Sequence, residues 1–262
     1  MFSCSRGLQK WWEYLMKSGA EPHTSSVVRG AGLFDRVDYR LIETPEEKDL
    51  VYLMRYRAYL HGGLIAPSES QRVTDVYDDA PNVWLFGIFV DGELCGSFRL
   101  HVLTSEWRAS YTTELFGDVL HERLDRGEVF IDPARFSADP EKAQRFPELP
   151  YLVVRLGYLA CDYFKADTGL AMERTDHQAF YRRIFLSETI AGPRPFPGWT
   201  TMQVVLMASD FRNVREKILA RFPIMRSSAF ERRMLFDRMG QRPAMPRPTL
   251  VPARERVTGI RA

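Results

Sequence analysis

A β-hairpin signal in the first half of the chain is the feature that most narrows the choice of fold. Residues 83–90, VWLFGIFV, are uncharged and rich in β-branched and aromatic side chains, and residues 94–103 form a second such run. Asp91 and Gly92 lie between the two runs, and this pair is typical of the tight turn that joins antiparallel strands. The chain is therefore predicted to contain a sheet built on two neighbouring strands.

Helices alternate with further strands around this hairpin. The first helix begins after Thr44, which can cap it, and Glu47 completes a capping box. The helix ends at Gly62–Gly63. Its predicted buried face contains Leu50, Val51, Met54 and Ala58. Further helices are predicted near 112–125, 150–165, 176–183 and 213–221, and strands near 127–136, 169–175, 201–207 and 232–237. This order indicates an α/β fold with a mixed central sheet flanked by helices.

The length of 262 residues suits one main domain, predicted at 38–237. Residues 1–37 are interpreted as an N-terminal extension, whose Trp11 and Trp12 either cover the domain's own core or touch a membrane surface. Residues 238–262 are rich in Pro and Arg and are predicted to be a flexible tail. The excess of Arg in the last forty residues could dock an acidic partner or belong to this solvated tail.

Charge and cysteine usage exclude several classes of protein. The formal net charge of +2 gives no electrostatic footprint for nucleic acid. The three cysteines, Cys4, Cys95 and Cys161, are far apart, which argues against a zinc site or a disulfide framework and predicts no metal. No apolar run suggests a signal peptide or a transmembrane helix. We predict a cytoplasmic location, with peripheral membrane contact as an option.

The second hairpin strand and the loop before it hold the candidate functional residues. Strand alternation places Ser97, Arg99 and His101 on one polar face. That face either lies in water or lines a site. The loop at 74–79 carries three carboxylates, which need cations, and the candidates are Arg55, Arg57 and Arg99. A solvated acidic turn is the alternative, whereas the spacing does not match a calcium-binding loop.

Four short motifs follow one another along the chain: Arg55-x-x-x-Tyr59, Asp75-Val76-Tyr77-Asp78, Gly96-Ser97-Phe98-Arg99-Leu100 and Asp132-Pro133-Ala134-Arg135-Phe136. In these residues the chain resembles the acyl-homoserine lactone synthases and, more closely, the long-chain N-acyl amino acid synthases. Segments 177–183 and 193–198 are also similar to the second group. The resemblance covers about 38–236, and Asp132 stands where a Glu is usual.

The resemblance implies a GCN5-related acetyltransferase-like fold, an acyl carrier protein or coenzyme A thioester as co-substrate, no tightly bound cofactor, and an amino acid or similar amine as acceptor. It also implies a charged network beside the acceptor pocket, made of Arg55, Asp75, Asp78, Arg99, Asp132 and Arg135. Tyr59, Ser97 and Phe136 belong to the same motifs and are candidate substrate-binding residues.

The absence of glycine from residues 136–150 favours a carrier protein over coenzyme A as the donor. Acetyl-coenzyme A enzymes of this fold usually hold the pyrophosphate on a glycine-rich turn at a helix N-terminus. This segment has no such turn. An acyl carrier protein is therefore the expected partner.

Proton affinity limits the choice of base. A free Asp has a pKa of about 3.9, so Asp75 and Asp78 are poor direct bases for an amine, and we assign them to orienting it. His101 is better matched, although a lone His on a strand is more often structural. Arg99 or Arg135 would hold the acceptor carboxylate. Less favoured interpretations use Tyr181 to protonate the leaving thiolate or Cys95 as a nucleophile.

The sequence thus predicts an N-acyltransferase that moves a medium- or long-chain acyl group from a carrier thioester to the amine of an amino acid. Two alternatives remain open at this stage. One is an acyl-homoserine lactone synthase, and the other is a protein of the same fold that only binds an acyl carrier or a lipid.

Overall fold

A computed structural model of the chain describes residues 35–146, 148–196 and 202–238. The strands are β1 (Val37–Leu41), β2 (Val83–Val90), β3 (Glu93–Leu103), β4 (Phe130–Ala138), β5 (Thr168–Arg174), β6 (Glu188–Pro195) and β7 (Gln203–Asp210). The helices are α1 (Pro45–His61), α2 (Tyr111–Asp125), α3 (Pro140–Arg145), α4 (Leu149–Tyr163), α5 (Gln178–Phe185), α6 (Phe211–Arg221) and α7 (Ala229–Phe236). The predicted N-terminal extension and flexible tail lie almost wholly outside the described residues.

The seven strands form one sheet in the order β1-β2-β3-β4-β5-β7-β6. Neighbouring strands are antiparallel except β4 and β5, which run parallel and pair at only two positions, Phe130 with Thr168 and Ile131 with Gly169. Beyond these pairs the two strands separate. The sheet is therefore two antiparallel blocks joined at a short seam.

Each face of the sheet has its own layer. On one face the apolar side chains of β2 and β3, such as Phe86 and Leu100, pack against α4, whose Leu152, Leu156 and Leu159 are fully buried. We call this the α4 face. On the opposite face α1 and α2 cover the sheet, with Phe130 packed in a cluster that includes α2. We call this the α1–α2 face.

Local signals placed the first elements correctly. The hydroxyl of Thr44 accepts from the N–H of Glu47, and the Glu47 carboxylate accepts from the N–H of Thr44, so the predicted capping box is present. Asp91 and Gly92 both have positive φ, as the hairpin turn requires. Leu50, however, was wrongly placed on the buried face of α1, because its side chain is 57% exposed.

The predicted last strand near 232–237 is wrong, because these residues end helix α7. Ser228 caps this helix by accepting from the N–H of Glu231. Leu235 and Phe236 are adjacent in sequence and both buried, whereas a half-buried strand would bury every second residue. The edge strands β1 and β6 were not predicted, since β1 is short and β6 contains Pro193 and Pro195.

Candidate active site

A cluster of buried charges lies between α1, the loop at 74–79 and strand β3. Nη1 of Arg55 donates to both carboxylate oxygens of Asp78, at 2.8 and 2.9 Å. Nη1 of Arg99 donates to Asp78 at 2.9 Å and to Asp75 at 2.6 Å. All four side chains are at most 7% exposed. The alternative in which the polar face of β3 lies in water is therefore wrong.

A bulge in β4 adds Arg135 to this cluster. Arg99 pairs with Ala134 but Ser97 pairs with Ser137, so β4 carries one extra residue across from β3. Arg135 lies in this bulge with a φ of 51°, and its Nε donates to Asp75 at 2.7 Å. Bulges are frequent next to active sites because the extra residue re-aims a side chain. Here it turns a strand residue toward the loop carboxylates.

The cluster holds three guanidinium groups and two carboxylates and so carries a net charge of +1. Burial by itself would raise the pKa of Asp75, but hydrogen bonds and charges from Arg99 and Arg135 lower it to about 2. Burial of Asp78 is likewise outweighed by Arg55 and Arg99, which lower its pKa. Both carboxylates therefore stay ionised at neutral pH and cannot accept a proton there.

Asp132 has the opposite electrostatic character. It is 1% exposed, and burial raises its pKa to about 6, although the hydroxyls of Thr112 and Ser110 and the charge of Arg99 partly offset that effect. Thr112 Oγ1 donates to Oδ1 at 2.8 Å. Oδ2 has no hydrogen-bond partner of normal geometry in the described part of the chain. One oxygen of Asp132 is thus hydrogen-bonded, and the other is buried without such a partner.

A cavity of about 530 Å³ passes through the seam between β4 and β5. Its polar part is lined by Tyr59, Arg99, Asp132 and Arg135 on the α1–α2 face. Its apolar part is lined from the α4 face by residues that include Val153, Gly157 and Phe180. Such a cavity can hold an apolar chain with one end beside charged groups.

The structure brings some of the predicted site residues to the cavity and leaves others away from it. Arg99, Asp132, Arg135, Tyr59 and Phe136 line it. Arg55, Asp75 and Asp78 lie behind this wall as partners of the lining arginines.

Two further candidates do not reach the cavity wall. The hydroxyl oxygens of Ser97 and Ser137 are 2.8 Å apart, and Ser97 is absent from the lining. His101 is fully buried, and burial together with the charge of Arg99 lowers its pKa to about 3. His101 is therefore neutral, so it is a weak acceptor for an ammonium proton.

Several lining residues were missed or only touched on by sequence reasoning. Thr112 belongs to no motif, and its contact with Asp132 spans twenty residues. Glu173 accepts a hydrogen bond from the hydroxyl of Tyr181, and both line the cavity. Oε2 of Glu173 also lies 3.8 Å from Nδ1 of His177, which lines the cavity too.

The described residues contain neither a candidate metal site nor a candidate membrane-spanning helix. Within 35–146, 148–196 and 202–238, there is no group of three or more His, Cys, Asp or Glu side chains placed to hold a metal ion. No helix in these same ranges is both long enough and apolar enough to cross a bilayer.

A mixed sheet that opens between two parallel strands around an apolar cavity characterises acyltransferases with a GCN5-related acetyltransferase-like fold, and this chain is an acyltransferase of that class. The family model described as "N-acyl amino acid synthase FeeM" matches residues 50–210, more than half of the chain. The chain therefore belongs to the FeeM family of N-acyl amino acid synthases, and the family expected from its motifs is confirmed.

Solved structures agree on the fold. FeeM, an N-acyl amino acid synthase from uncultured soil microbes, is 16% identical with a TM-score of 0.55, and the match covers 71% of this chain and 97% of that one. BjaI, a CoA-dependent acyl-homoserine lactone synthase, is 13% identical with a TM-score of 0.53, covering 71% and 88%. No curated protein sequence matches the chain. Family membership supports N-acyltransferase activity.

Proposed function

We propose that the protein transfers a medium- or long-chain acyl group from the thioester of an acyl carrier protein to the amine of an amino acid. The observation that carries this proposal is the cavity through the seam, because it joins an apolar chamber to the buried charged cluster. An acyl chain fits the apolar part, and its thioester carbonyl would lie near Arg99 and Asp132.

The charges beside the cavity suit a zwitterionic acceptor. The net charge of +1 on the arginine–aspartate cluster favours a bound carboxylate, and Arg135 is the guanidinium of the bulge that lines the cavity. Asp132 lies on the same part of the wall and offers Oδ2 to the ammonium group. Amines without a carboxylate would lose the contact with Arg135.

Asp132 is the proposed proton acceptor in place of His101. The amine nitrogen must lose a proton before its lone pair attacks the thioester carbon. The C–N bond then forms and the C–S bond breaks, and the second proton that the nitrogen loses goes to the departing sulfur, which leaves as the thiol. A carboxyl with a pKa of about 6 is better matched to an amine than a carboxyl near 4. Asp75 and Asp78 keep the role of fixing Arg99 and Arg135.

The first turn of α4 supports a carrier protein rather than coenzyme A as the donor. The N–H of Leu149 donates to the carbonyl of Phe146 at 3.0 Å, and Pro150 has no N–H. The next two N–H groups both donate to the carbonyl of Glu148, at 2.9 and 3.2 Å. A pyrophosphate at a helix N-terminus needs free N–H groups, and this turn has already used its own.

The test is a direct assay of the purified full chain. Acyl carrier proteins loaded with chains of graded length are incubated with a mixture of amino acids, and products are identified by mass spectrometry. We expect N-acyl amino acids from the carrier-bound donors and much slower transfer from the matching acyl-coenzyme A. Formation of lactones from S-adenosylmethionine, or no product with any amine from protein that is folded, would contradict the proposal.

A further inference from the structure

The first turn of helix α2 is built against the carboxyl group of Asp132. Ser110 caps this helix by accepting from the N–H of Thr113 at 3.1 Å, and Thr112 is the second residue of the helix. Thr112 is 2% exposed, and its hydroxyl donates to Asp132 Oδ1 at 2.8 Å. The cap holds the first turn of the helix in place, and this turn positions the Thr112 hydroxyl beside the Asp132 carboxylate.

Among the described residues, the carboxyl group of Asp132 has one side-chain hydrogen bond of normal geometry, and the Thr112 hydroxyl donates it. Strand β3 contributes Arg99, which is already paired with Asp75 and Asp78, and His101, which is neutral. Helix α2 contributes the hydroxyls of Ser110 and Thr112 and the phenol of Tyr111, which lines the cavity with Asp132. The seam side contributes the uncharged residues Gly169 and Leu170.

We propose that Thr112 is a positioning residue for acyl transfer, whose hydroxyl holds Oδ1 of Asp132 so that the carboxylate form is favoured and Oδ2 faces the amine. This inference rests on the proposed function, because it assigns Asp132 the proton. A hydrogen bond donated to a carboxylate stabilises its charged form and lowers its pKa. Without Thr112, burial would keep Asp132 protonated to higher pH.

Two variants separate this role from simple packing. Thr112→Val keeps the shape and removes the hydroxyl, whereas Thr112→Ser keeps the hydroxyl and removes only a methyl group. We expect the acidic limb of the pH profile of kcat/KM to move upward by about one pH unit in Thr112→Val. Thr112→Ser should keep the wild-type limb, and the KM for the amino acid should change little in both variants.

A titration without turnover tests the same claim. In protein labelled with ¹³C at the Asp side-chain carboxyl, Asp132→Asn assigns the signal, and its midpoint is compared between wild type and Thr112→Val. We expect the midpoint to rise by about one pH unit. An unchanged midpoint, or equal shifts in Thr112→Val and Thr112→Ser, would overturn the role of Thr112. Failure of the wild type to acylate any amine would instead overturn the proposed function.

Discussion

The two walls of the cavity are held together by different kinds of contact. On the α1–α2 face, Arg55, Arg99 and Arg135 are tied to Asp75 and Asp78 by hydrogen bonds of 2.6–2.9 Å. On the α4 face, the wall is mainly apolar and includes Gly157, with one hydrogen-bonded pair, Tyr181 and Glu173. A buried ion network loses its balance when one member is removed, whereas an apolar wall can change its volume gradually. We therefore expect the first wall to determine the chemistry and the second to determine the length of the acyl chain.

Removal of Asp78 should break the charged wall most severely. Asp78→Ala leaves two buried guanidinium groups short of their counterion, which costs about 3–5 kcal/mol when one partner of a buried pair is lost. Urea unfolding measures this change. The matched control is Asp79→Ala, because Asp79 is exposed and its one ion pair within the described part of the chain is with Lys48. It should cost less than about 1 kcal/mol. Similar costs for both variants would show that the two pairs do not differ.

Asp132→Asn should separate stability from activity within the same wall. The carboxyl of Asp132 titrates near its ordinary value of 3.8 in the unfolded chain and at about 6 in the folded protein. Its contribution to folding therefore falls as pH rises through this window and stays low above it. We expect the variant to be inactive and, above pH 6, to gain up to about 3 kcal/mol relative to wild type.

Urea unfolding of both proteins at pH 4 and pH 7.5 checks this prediction. The advantage of Asp132→Asn should be present at the higher pH and largely absent at the lower one. A variant that is equally stable at both values, or one that keeps wild-type turnover, would contradict the proposed role of Asp132.

Gly157 should show how tolerant the apolar wall is. A Cβ at this position would lie 3.6 Å from Phe98 and 3.8 Å from Pro133, which is ordinary contact. Gly157→Ala should therefore fold normally and gain up to about 1 kcal/mol from helix propensity. Gly157→Leu should fill part of the cavity and shift the products toward shorter acyl chains. Mass spectrometry of the products formed from a mixed donor pool tests this. An unchanged distribution of product lengths would mean that the acyl chain does not lie beside Gly157.

Local signals made much of the fold predictable from sequence. The capping box at Thr44 and Glu47 and the turn at Asp91 and Gly92 each involve contacts within four residues, and they placed α1 and the hairpin. The need of the loop carboxylates for cations pointed to Arg55 and Arg99 correctly, but it also pointed to Arg57, which is exposed. These inferences required no knowledge of distant contacts.

The remaining features depend on tertiary structure. The bulge at Arg135 has no glycine to mark it, and the contact of Thr112 with Asp132 joins different elements. His101 was considered better matched than Asp75 and Asp78 as a base on solution pKa values, but burial lowers the pKa of His101 to about 3 and raises that of Asp132 to about 6. Residues 232–237 were predicted as a strand, whereas residues 229–236 form a helix in which Leu235 and Phe236 are buried.

The short pairing of β4 with β5 also has a consequence for cooperativity. Only two residue pairs link the two blocks of the sheet along this line, so the strands themselves join the halves of the domain weakly. A bound acyl chain would fill the gap and behave as part of the hydrophobic core. A ligand that binds only the folded state stabilises it by about 2.7 kcal/mol at a hundred times its Kd. The unloaded enzyme should therefore open first along the pairing of β4 with β5. Bound substrate should make the two blocks of the sheet unfold together.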